Sequence, residues 1–98
     1  MSLAQVASEH RRLAILRALT DSPEYTSNLS VMTDLVNGFG VPSSRDQVDG
    51  DASWLAEQGL IERKDHAGFI ILQARERGID VASGRSAIAG VKRPSARS

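Results

Sequence analysis

His10 and His66 are the two imidazoles of the chain, the side chains best suited to moving protons or holding a metal near neutral pH. They stand far apart in sequence, and neither falls in a metal-ligand spacing. There is no cysteine, which removes disulfides, thiolate metal sites and a cysteine nucleophile. Asp46, Asp49 and Asp51 crowd together, but they lack the calcium-loop pattern, and on a helix they spread around the axis. Gly38-Phe39-Gly40 reads as a helix exit rather than a phosphate cradle, because no strand precedes it and it does not open a helix. Serines are plentiful but have no nucleophile-elbow context. The chemistry therefore points away from an enzyme: no catalytic residue, metal ligand or cofactor is expected.

The charges point to a partner instead. Twelve Lys and Arg balance twelve Asp and Glu, yet Arg85, Lys92, Arg93 and Arg97 all follow the last acid, Asp80. Residues 1–80 thus carry a formal charge of about −4 and the remainder about +4. At 98 residues the chain is one domain, near the lower end of what buries an adequate core alone. Its longest aliphatic-aromatic run, Phe69 to Leu72, is far short of the roughly 20 residues that span a bilayer. The start of the chain lacks the basic-then-apolar layout of a signal peptide. A cytoplasmic protein that avoids membranes is expected.

Three helices, two strands and a last helix should position these charges. Leu13, Ile15, Leu16 and Leu19 form one broad face of a helix from about Leu3 to Leu19, with Arg11 and Arg17 off that face. Asp21-Ser22-Pro23 stops it. Ser27 or Asn28 caps a second helix, whose stripe is Leu29, Met32, Leu35 or Val36, and Phe39. Asn37-Gly38 supplies its left-handed exit. Ser43 or Ser44 caps the third helix, with Gln47 in capping-box position after Ser44. Val48, Ala52 and Leu55 form its buried stripe, and Gly59 ends it. Strands from Leu60 to Lys64 and from Phe69 to Gln73 flank the polar turn Asp65 to Gly68. A poorly capped helix from about Ala74 to Ser83 uses Ile79, Ala82 and Val81 before Gly84 closes it. The expected class is mainly α with a small β-hairpin, in the order α-α-α-β-β-α. The domain covers 1–83, and 84–98 is a basic, partly disordered tail whose first half Ile88 and Val91 can pin down.

This order, with the run from Ser44 through Leu60-Ile61-Glu62-Arg63, resembles winged helix-turn-helix proteins of the ArsR and MarR kind. The chain resembles more closely a group of small phage and prophage proteins of unassigned role, often labelled ArsR-like. The residues that carry this lie in 8–16, 44–48, 54–60, 76–82 and 90–94. The resemblance implies a third helix in the DNA major groove, carried by Ser43 to Gln58, and a wing on the backbone, carried by Arg63 to Gly68. It also implies a homodimer through the first and last helices. Leu3, Val6, Ile79, Val81, Ile88 and Val91 supply apolar side chains in the right segments.

Two functions follow. In the first, the protein is a DNA-binding transcriptional regulator of phage or prophage type, cofactor-free. Ser44, Arg45, Gln47, Arg63, Lys64, His66, Lys92 and Arg93 are then its candidate DNA contacts. The opposing fact is the outer face of the third helix, which is Asp46, Gly50, Ser53 and Glu57, flanked by Asp49 and Trp54. Carboxylates there repel phosphate. In the second function, that acidic face docks another phage or host protein without DNA. Trp54 is either core packed against the wing or an interface anchor. Gly50 costs about 1 kcal/mol relative to Ala in a helix interior. It either admits close backbone approach by a partner or sits at a tolerant exposed site.

Overall fold

The computed structural model describes residues 1–95. Four α-helices and a three-stranded antiparallel sheet follow one another along the chain. Helix α1 (Leu3–Thr20) starts on the Ser2 hydroxyl, which accepts from the Gln5 amide, and stops before the Asp21-Ser22-Pro23 breaker. A 3-10 turn (Pro23–Tyr25) leads into β1 (Thr26–Asn28) and then α2 (Leu29–Gly38). Of the two expected caps for α2, Asn28 takes the role, its side chain accepting from Val31. Helix α3 (Arg45–Glu57) opens on the reciprocal Ser44–Gln47 capping box. Strands β2 (Ile61–His66) and β3 (Phe69–Ala74) form a hairpin, and α4 (Glu76–Ser83) closes the domain without a side-chain cap.

Strand β3 is the centre of the sheet, whose order is β1-β3-β2. Asn28 faces Ile71 on one side of it and Lys64 faces Ile71 on the other. Ile61, Leu72 and Ala74 turn inward against Ile15, Leu16 and Leu19 of α1, Leu29, Met32 and Val36 of α2, and Val48, Ala52 and Leu55 of α3. Side chains alternate between the faces of a sheet, so Phe69, Ile71, Lys64 and His66 share the outer one. Gly78 lets α4 press onto the start of β2; a Cβ there would collide with the Leu60 carbonyl.

Several expectations are corrected. Strand β1 was not anticipated: three residues, Thr-Ser-Asn, carry no apolar alternation, and tertiary pairing alone makes them a strand. The hairpin turn is tighter than Asp65 to Gly68. Ala67 and Gly68 both adopt positive φ, the two-residue turn that matches strand twist, and pairing extends to His66 and Phe69. The left-handed exit after α2 falls on Gly40, not on Asn37-Gly38; the Asn37 side chain instead ties the backbone of Ser43. Phe39 is half-exposed rather than part of the α2 stripe. Arg11, expected off the apolar face of α1, is buried at 4% exposure. Val81 and Val91, offered as dimer contacts, belong to the core of the single chain.

Candidate functional site

The exposed side of α3 is the candidate site, and its two flanks differ. Residues on a helix advance by about 100° each. With Val48, Ala52 and Leu55 inward, Asp46, Gly50 and Glu57 face solvent as the sequence predicts. Arg45 and Asp49 then flank that face on one side, and Asp51 and Trp54 on the other. On the first side lies the hairpin. Arg63 Nη2 donates to Asp49 Oδ1 at 2.8 Å, with a longer pairing to Asp65 at 3.8 Å. Its Nε is buried without a hydrogen-bond partner among the described residues. Arg63 therefore braces the hairpin against α3 and is not aimed at solvent.

On the other flank Asp51 accepts from Arg11 Nη1 and from Arg12 Nε, both at 2.9 Å. Arg11 also donates to Ser43 Oγ at 2.7 Å. The Arg12 guanidinium lies 3.9 Å from the Trp54 ring centroid, a stacked cation–π arrangement, and its Nη1 donates to the Gly90 carbonyl at 2.9 Å. Trp54 thus packs against α1 and the C-terminal segment rather than the hairpin. Val91 is buried, Ile88 is half-buried, and the Lys92 amide donates to the Glu9 carbonyl at 3.2 Å.

The candidate contacts are dispersed in role. Ser44 and Gln47 spend their side-chain oxygens on the cap. Arg45 is exposed and donates to the Ser30 hydroxyl at 2.7 Å. A hollow of about 140 Å³ joins it to Ser30, Gly68 and Phe69, so the start of α3 and the hairpin tip face one another. Lys64 is exposed with a loose pairing to Glu62 at 3.7 Å, and His66 is exposed beside Phe69, which is 63% exposed. Arg93 is exposed; Lys92 is half-buried and its Nζ donates to the Arg93 carbonyl. Arg97 lies outside the described residues. A separate groove of about 560 Å³ between α1, the α2–α3 turn and α4 holds His10, Arg17 and Phe39 and none of these candidates.

Sequence reasoning missed Arg11, Arg12, Asp51 and Gly90. A signal for Asp51 was present: with Val48, Ala52 and Leu55 it completes the i, i+3, i+4, i+7 stripe. Gly50 has no structural reason to be glycine, since a Cβ there would meet nothing within 4 Å. Asp46 and Glu57 make no ion pair among the described residues. No group of three or more His, Asp or Glu side chains there could hold a metal ion, and no helix is long and apolar enough to cross a membrane.

The fold and site together define a small α+β domain that displays one helix between a hairpin and a folded C-terminal segment. The chain belongs to the family of a phage Mu protein, the uncharacterized protein gp26 of Escherichia phage Mu, with which it shares 44% identity over 92 residues, 94% of this chain and 95% of that protein. It is also similar to an uncharacterized protein of Haemophilus influenzae, at 38% identity over 80 residues, 79% of this chain and 76% of the relative. No family model and no solved structure matches the chain.

Proposed function

We propose that this is a winged helix-turn-helix domain that binds double-stranded DNA as a transcriptional regulator of phage or prophage type. The observation that carries the reading is the chain order α1-β1-α2-α3-β2-β3 with sheet order β1-β3-β2, which sets an exposed helix beside a twisted hairpin. Kinship with a phage Mu protein supports the phage part. Contact concentrates at the start of α3, where Arg45 bonds to the Ser30 hydroxyl, and on Lys64 and His66 of the hairpin. Lys92 and Arg93 add phosphate contacts. Arg63 leaves the contact set and becomes a brace. A homodimer through α1 and α4 accompanies the reading, with exposed Leu3 and half-buried Val6, Ile79 and Ile88 as its apolar contacts. Titration of the protein into labelled duplex DNA across a salt series tests it: a steep fall of affinity with salt is expected. Absence of binding at low salt overturns it.

One observation favours a second reading. Asp46 and Glu57 are exposed and make no ion pair among the described residues, while Arg63 of the hairpin turns onto Asp49. An acidic α3 surface suits a basic protein partner. Charge reversal at Asp46 and Glu57 separates the two: it strengthens DNA binding if the first reading holds, and abolishes protein docking if the second does.

A further inference from the structure

We propose that Arg12 and Gly90 are positioning residues that latch residues 84–95 into a preorganised arm, so that Lys92 and Arg93 meet phosphate from a fixed place beside α3. The proposal rests on the DNA-binding reading and adds to it how the C-terminal segment acts.

The latch is built from one guanidinium with three simultaneous partners: the Asp51 carboxylate, the Trp54 ring and the Gly90 carbonyl. The planar fork of arginine satisfies all three; the point charge of a lysine cannot. Gly90 is shaped to it. Its φ of +99° is a conformation that L side chains rarely adopt, and a Cβ there would lie 2.7 Å from Trp54 Cζ2 and 3.1 Å from Arg12 Nη1. Beyond the latch the arm stays on the body. Val91 is in the core, Lys92 bonds to Glu9 of α1, and Pro94 returns to Gly84, where a Cβ would lie 3.3 Å from the proline ring. Trp54 flanks the exposed face of α3, and three residues carry Arg93 no more than about 10 Å from Gly90. The same Asp51 also holds Arg11, which holds Ser43 next to the α3 cap. The seat of α3 and the seat of the arm therefore share one carboxylate. A basic segment held in place contributes to binding without the ordering entropy that a free tail loses.

Gly90→Ala changes no charge, so it separates position from electrostatics. The readout is the slope of log affinity against log salt for a random-sequence duplex of about 20 base pairs, a length that offers more phosphates than one such domain contacts. Removal of two phosphate contacts by Lys92→Ala with Arg93→Ala should lower that slope by about 2. Gly90→Ala alone should give the same lowered slope, and the triple variant should fall no further. Trypsin reports the arm independently: cleavage after Arg85 and Lys92 should be slow in the parent and fast in Gly90→Ala. Arg12→Lys serves as a second unlatched variant. Fast cleavage of the parent, or an unlatched arm with the parent slope, overturns the proposal while leaving DNA binding intact. Failure of the parent to bind duplex at low salt overturns the DNA-binding reading and the proposal together.

Discussion

The two flanks of α3 use the same ion chemistry at different depths. On the hairpin side Asp49 meets Arg63, with side chains 35% and 25% exposed. On the arm side Asp51 is 8% exposed and is shared by two arginines. Water screens the first pair, so it contributes little to stability and mainly sets the angle of the hairpin. The second has surrendered its hydration, so each charge depends on the others. Of the four carboxylates around α3, Asp49 and Asp51 are thus committed, while Asp46 and Glu57 make no ion pair among the described residues.

The sharpest break in that comparison is Asp51→Ala. It strands two guanidinium groups, Arg11 deeply buried, and should cost about 3–5 kcal/mol in chemical denaturation. Domains of this kind have only about 5–15 kcal/mol in total. A loss below about 1 kcal/mol would place Asp51 in the same class as Asp49. Leu55→Ala, a truncation in the core one turn along α3, should cost about 2–5 kcal/mol and calibrates the first value. An unchanged melting temperature there would mean that α3 is rotated from the seat described.

Gly50→Ala should work in the other direction. With open space around the missing Cβ, alanine should stabilise the domain by about 1 kcal/mol. If the same variant weakens partner binding, the glycine serves close approach; if binding is unchanged, the position is merely tolerant. The smallest effect belongs to the hairpin side. A double-mutant cycle between Asp49→Asn and Arg63→Gln should return a coupling of about 0.2–1 kcal/mol. It should vanish in 1 M salt, where the screening length falls to about 3 Å. A coupling that survives such salt would show the pair to be as dry as the one around Asp51.

Local rules made much of the fold readable. The Ser44–Gln47 box, the stripe of Val48, Ala52 and Leu55, and Gly84 as a helix stop all act within one or two turns of chain. What was hidden depends on pairs distant in sequence. Thr26–Asn28 becomes a strand only because Ile71–Gln73 lies beside it. Arg11 looked solvated and Arg12 drew no notice because their partner carboxylate is on another helix, and Gly90 looked like tail composition because Trp54 is 36 residues away in the chain. The candidate contacts were legible by residue type alone. Type does not reveal that Arg63 bonds to a carboxylate while Arg45 bonds to a hydroxyl.

The strand order also governs how the chain can be made. Both outer strands pair with β3 and never with each other. A nascent chain that stops short of Phe69 therefore contains no sheet at all, however much helix it has formed. Thr26–Asn28 is synthesised before its partner and waits, unpaired, until the central strand follows. At about 5–20 residues per second that wait lasts a few seconds. During it, the apolar faces of α1, α2 and α3 lack the Leu72 side of their core. Productive folding is thus tied to Phe69–Ala74, and a chain that stops before that strand has none of its sheet pairings.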